Sequence, residues 1–191
     1  MPTLTPQQFA RLMRRSGPEI EREVQSTLTA AALAGEADAK LNATRLLRVR
    51  TGLLRNSIRG IVTQVGTGAT GFVVTLRAGN DQDVKYARIQ ELGGTIRPRR
   101  SRYLAVPQDP GPALTGAGVQ RYQSPRQVPG LRVVPSGAGR LRLVDDDGRT
   151  WYHLVKQVRI SRKLYLRRAF DKMQRQLPQE LAEAVLRAIS Q

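Results

Sequence analysis

Apolar residues recur at spacings of three and four through the first part of the chain. Ile20, Val24, Leu28, Ala31, Ala34, Ala37 and Leu41 form one series, the period of a helix with one apolar face. Before it, Thr5-Pro6-Gln7-Gln8 has the makings of a helix start. Thr5 can cap, Pro6 fits the first turn and Gln8 can complete a capping box. The pattern predicts a first helix to about residue 15, an interruption at Ser16-Gly17-Pro18 and a long helix over residues 18–47. Its stripe is alanine-rich, which suits close helix approach, and Gly35 weakens its middle. Thr51 is a candidate N-cap for a short helix carrying Leu53, Leu54 and Ile58. The period then changes. Residues 58–66 and 71–78 are rich in β-branched side chains and predict two strands joined as a hairpin.

After a turn at Gly79-Asn80-Asp81, residues 84–94 predict a short helix with Tyr86, Ile89 and Leu92 as its stripe, ended by Gly93-Gly94. Residues 95–130 break the periodicity with six prolines, and residues 108–130 are too long and too broken for an ordinary connection. Such a segment is expected to be functional or disordered until bound. Strands are expected near 131–135, 140–145 and 149–158, with Asp145-Asp146-Asp147-Gly148 as the turn between the last two. Leu166, Phe170, Met173 and Leu177 predict a helix over 162–176, and Pro178 starts another over 178–190. The expected class is α+β: a long N-terminal helix, a mostly antiparallel sheet, a C-terminal helix pair and a long Pro/Arg-rich loop. One domain is expected over 1–191. It comprises a helical arm (1–47), an α+β core (48–96 and 131–176), a flexible basic arm (97–130) and a terminal helix (177–191).

Two motifs invite a chemical reading. Gly66-Thr67-Gly68-Ala69-Thr70-Gly71 is a literal G-x-G-x-x-G. The dinucleotide fingerprint needs a helix after the glycines, and here a strand pattern follows. A kinase loop does lie between strands, but the remaining kinase motifs are missing. The only histidine, His153, precedes Leu154-Val155. A hairpin turn explains the glycines, because glycine takes positive φ without steric cost. The aspartates at 145–147 are consecutive, whereas a calcium loop alternates its ligands. With no cysteine and one histidine, thiolate or His-based metal sites and a Ser-His-Asp triad lack material. No catalytic, cofactor or metal site is expected, and the chain is read as a non-enzyme.

Charge changes the picture most. The chain carries 32 basic and 15 acidic residues, a net charge of +17. Residues 95–135 hold seven arginines against Asp109 alone. So basic a chain calls for a polyanion, acidic protein neighbours, or both. The first residues lack the charged and apolar regions of a signal peptide, and no apolar run reaches membrane-spanning length. A soluble protein made in the cytoplasm is expected.

Three stretches together carry a resemblance. They are VRTGLLRNSI (49–58), KYARIQELGGTIRP (85–98) followed by RYLAVP (102–107), and VRISRKLYLRRAF (158–170). Their order and spacing resemble the neck and tail-completion proteins of tailed phages, the head–tail joining and virion-morphogenesis families. Members commonly carry proline in the closing motif, as in IP-x-R-P-F-L. Residues 160–166 here have none, and the insertion at 108–157 is longer than in the smallest relatives. The resemblance implies a structural virion component at the head–tail junction, made in the host cytoplasm. It implies a homo-oligomeric ring around the DNA channel. The implied partners are further copies of the chain, the connector or stopper, the tail terminator or tail tube, and DNA in the lumen. Arg97, Arg99, Arg100 and Arg102 are the expected contacts to partner or DNA, with Arg162, Lys163, Arg167 and Arg168 as a second basic face. Thr51, Gly52, Tyr86, Glu91, Gly93 and Gly94 match the family landmarks and are expected to shape the fold. The alternatives are a sequence-independent DNA-binding protein and another tail component, such as a minor tail or tube-terminus protein.

Overall fold

The structure is a computed structural model that describes residues 6–48, 51–65, 71–79, 84 and 86–190. The Thr5 cap, the glycine loop at 66–70 and the turn at Asn80-Asp81 lie outside the described residues. In chain order the elements are α1 (Pro6–Leu46), α2 (Leu53–Asn56), β1 (Arg59–Gln64), β2 (Phe72–Arg77), α3 (Ala87–Leu92), β3 (Gly94–Ile96), β4 (Leu104–Pro107), β5 (Arg132–Pro135), β6 (Leu141–Val144), β7 (Thr150–Val155), β8 (Val158–Ile160) and α4 (Tyr165–Ile189). This is an α+β fold in which every strand pairing is antiparallel. The chain divides into two compact units. One comprises Met1–Leu47, Leu53–Ala87 and Leu164–Gln191; the other comprises Arg48–Gly52 and Arg88–Lys163.

In the first unit α1 and α4 run antiparallel. Lys172 Nζ meets Asp38 at 2.8 Å and Arg187 Nε meets Glu23 at 3.8 Å. Asn42 Nδ2 donates to the Tyr165 carbonyl at 3.2 Å. Small residues bring the helices together: Ala31, Ala32, Ala39 and Ala43 on α1, with Ala169, Ala184 and Ala188 on α4, are all buried. The β1–β2 hairpin approaches α1 even more closely. A Cβ on Gly60 would lie 2.1 Å from the Ala32 carbonyl oxygen. Gly35 belongs to this packing, since a Cβ there would meet Leu76 at 3.2 Å and Met173 Sδ at 3.3 Å. Leu54, Ile58, Val84, Ala87 and Tyr165 complete the core. The buried Tyr165 hydroxyl donates to the Ala87 carbonyl at 3.3 Å.

Several expectations need correcting. The breaks expected at Ser16-Gly17-Pro18 and at Pro178 do not occur, and α1 and α4 each run through their proline. Proline's φ is itself helical; its interior cost is one hydrogen bond and a clash with the preceding turn. In α4 the turns on both sides of Pro178 bury Met173, Ala184 and Ala188, and such packing supplies most helical stability in proteins. The expected α1 stripe also drifts. Three residues fall about 60° short of a full turn, so Ala34, Ala37 and Leu41 walk out to solvent. The packed line is Leu28, Ala32, Gly35, Ala39 and Ala43. In α4 the packed line keeps Met173 from the expected stripe but runs through Tyr165 and Ala169, one position before Leu166 and Phe170. α3 is shorter than expected, with Tyr86 and Leu92 exposed and Ala87 and Glu91 buried.

The second unit holds a two-stranded sheet, β3–β8, and a four-stranded sheet in the order β4-β7-β6-β5. The strand expected over 149–158 is two strands, because Lys156-Gln157 ends β7 and β8 then pairs with β3. Asp145 makes the expected turn: its Oδ1 accepts from the Arg149 amide at 2.8 Å and its Oδ2 from Trp151 Nε1 at 2.9 Å. Residues 108–130 have internal order. Ala113 and Leu114 are buried, Leu114 bridges Gln120, and the Arg121 amide donates to the Ala113 carbonyl at 3.0 Å. Ser124 and Gln127 form a capping box around the 3-10 turn Pro125–Gln127.

Candidate partner-binding surface

The β3–β4 connection carries Arg97, Arg99, Arg100 and Arg102, all exposed. Strand pairing decides what lies beside it. Ile96 at the end of β3 faces Val158, and Leu104 at the start of β4 faces Val155. The β3–β4 connection therefore runs next to Lys156-Gln157, the link between β7 and β8. Arg97 Nε donates to Gln157 Oε1 at 3.4 Å across the two links. Arg159 stands on β8 opposite Thr95. Six cations thus lie along one edge of the second unit, on or beside the two links that join its sheets: Arg97, Arg99, Arg100, Arg102, Lys156 and Arg159. Residues 94–108 and 148–163 contain no acid. Among the described residues none of the six is ion-paired. Arg102 instead lies 5.7 Å over the Tyr103 ring, within cation–π range.

The other expected basic residues are divided between the two units. Arg162 and Lys163 belong to the second unit, whereas Arg167 and Arg168 begin α4 in the first. The Lys163 amide donates to the carbonyls of Gln90 and Glu91 at 3.1 and 3.3 Å. Arg167 Nε pairs with Asp171 at 2.8 Å. Arg168 is exposed.

The landmark residues sit at chain bends. Gly52 takes φ 73° between exposed Thr51 and α2. Gly93 takes φ 73° at the end of α3, and a Cβ there would lie 2.7 Å from the Arg162 amide nitrogen and 2.9 Å from the Ile160 carbonyl oxygen. Only glycine meets both demands, the positive φ and the close approach. Gly94 opens β3, Glu91 is buried and Tyr86 is exposed.

Sequence reasoning left Lys156 and Arg159 out of the expected contacts. The polar pair Lys156-Gln157 inside an apolar run was the available signal, since it ends β7 and turns the chain back beside the arginines. His153 Nε2 is hydrogen-bonded to Gln108 Oε1. Among the described residues no group of three or more His, Cys, Asp or Glu side chains could hold a metal ion, and no helix is long and apolar enough to cross a membrane. No family model matches the chain, and neither do curated proteins or solved structures.

Proposed function

We propose that this chain is a non-enzymatic structural component of the head–tail junction of a tailed phage, a neck or tail-completion subunit. It assembles with further copies into a ring around the DNA channel and joins tail to filled head. The observation that carries this reading is the six-cation edge of the second unit. A surface so concentrated in arginine, with no acid among its own segments, favours an external anionic partner. Arginine's planar fork suits both carboxylate and phosphate. The exposed α1 residues Leu33, Ala37 and Leu41 add an apolar stripe on the helix face turned away from the packed line, which fits lateral contact between subunits. The landmark order described above supports the junction in particular.

The test is electron microscopy of lysate from the parent phage with this gene deleted. The reading expects DNA-filled heads and separate tails. Intact virions would contradict it. The second reading, sequence-independent DNA binding, draws on the same cations. It expects the isolated protein to retain duplex DNA with a steep loss of affinity as salt rises.

A further inference from the structure

A groove of about 390 Å³ opens between α1 and α4 in the first unit. Small α1 side chains, among them Thr27, Ala30 and Ala34, form part of its lining, with Glu23, Glu180 and Glu183 as its acids and Arg187 as its cation. Arg187 pairs with Glu23 at 3.8 Å, and Gln179 Nε2 donates to Glu183 Oε1 at 3.0 Å. Glu180 has no ion pair among the described residues. In a chain of net charge +17, this is an acid-rich groove whose small side chains leave room for an inserted group. Its volume falls in the range of clefts that seat ligand-sized groups.

We propose that this groove receives the connection at residues 97–102 of a second copy of the chain. The complement is on the same molecule. Arg97, Arg99, Arg100 and Arg102 are exposed on a short link held at both ends by strand pairing, so little order need be gained on docking. Guanidinium groups bind carboxylates through paired, charge-assisted hydrogen bonds. Groove and connection are different patches, so the contact is head-to-tail. Such contacts close into rings or run on as filaments. The inference rests on the ring reading above for its setting and names the contact that would build the ring.

The test uses the full chain, followed by sedimentation velocity across protein concentration at low and at high salt. Two variants reverse charge at exposed positions, E180R/E183R in the groove and R99E/R100E on the connection. The wild-type chain self-associates, more weakly at high salt, and each variant alone associates at least about tenfold less tightly. An equimolar mixture of the two variants regains association, because each reversed connection now meets a reversed groove. Wild-type association that persists in E180R/E183R overturns the groove assignment while leaving a ring intact. A wild-type chain that stays monomeric throughout also overturns it, and the gene-deletion lysates then judge the junction reading separately. If R99E/R100E loses duplex DNA retention but keeps self-association, the connection's partner is DNA, and the proposal is overturned.

Discussion

The two units are built on different economies of space. In the first, alanines and glycines let backbones approach until no side chain fits: Gly60 against Ala32, Gly35 between Leu76 and Met173, Ala39 with no exposed surface at all. In the second, short strands and hydrogen-bonded turns carry the chain, and the buried apolar side chains are few, chiefly Ala113, Leu114, Val144 and Tyr152. The first unit gains by excluding atoms, the second by satisfying backbone groups. The six cations of the basic edge sit on the second, where all six are exposed. A binding edge on such a frame can change its chemistry without losing its fold.

The largest effect is expected where the approach is closest. Gly60→Val puts atoms into the Ala32 carbonyl and should destabilise by about 3 kcal/mol or more. A thermal melt followed by helical circular dichroism reads this directly, and an unchanged Tm would break the close-packing account of the first unit. Ala39→Leu comes next, overpacking a fully buried site at about 1–3 kcal/mol. The chain's single tryptophan, Trp151, lies in the second unit and gives a separate probe. Helical signal should melt earlier in both variants, while Trp151 fluorescence shifts less.

Acid sharpens the comparison further. The Trp151 indole hydrogen bond, helped by the Arg149 amide and charge, holds the Asp145 carboxyl below its ordinary value of 3.8. The Lys40 hydrogen bond, helped by the Gly60 amide, holds Glu36 below 4.5 in the other unit. Both are depressed carboxylates. Each contributes stability that is present above its unfolded pKa and lost as pH falls through the folded one. Asp145→Ala should therefore remove pH dependence below about pH 4 from the Trp151 transition, and Glu36→Gln from the helical transition. Loss of the same dependence from both signals by either change would show that the units melt as one. The smallest effect on stability belongs to the basic edge. Arg99→Glu with Arg100→Glu should shift stability by no more than about 0.5 kcal/mol per site, measured by urea titration.

Local chemistry was legible in the chain. The β1–β2 hairpin followed from β-branched runs on both sides of the glycines, and the Asp145 turn from Asp-Gly. The α+β class followed from the change of period. What was not legible depended on tertiary partners. Pro178 read as a helix start because the sequence does not display the packing that carries a helix through a proline. Ala34, Ala37 and Leu41 read as core because residues three apart look aligned in a list and drift on a cylinder. Gly35 read as a weakness when its missing Cβ is what admits Leu76 and Met173. The four arginines of residues 97–102 were visible, but their neighbours were not. Lys156 and Arg159 are more than fifty residues away, and only the pairing of β3 with β8 and of β4 with β7 places them alongside.

The central claim is that the basic edge serves assembly of a phage junction. Electron microscopy of lysates from phage carrying Arg97, Arg99, Arg100 and Arg102 all changed to Glu tests it most directly, with the variant's Tm matched to wild type beforehand. The account predicts filled heads lying apart from free tails. Intact, infectious virions made with a folded, edge-reversed protein would contradict it.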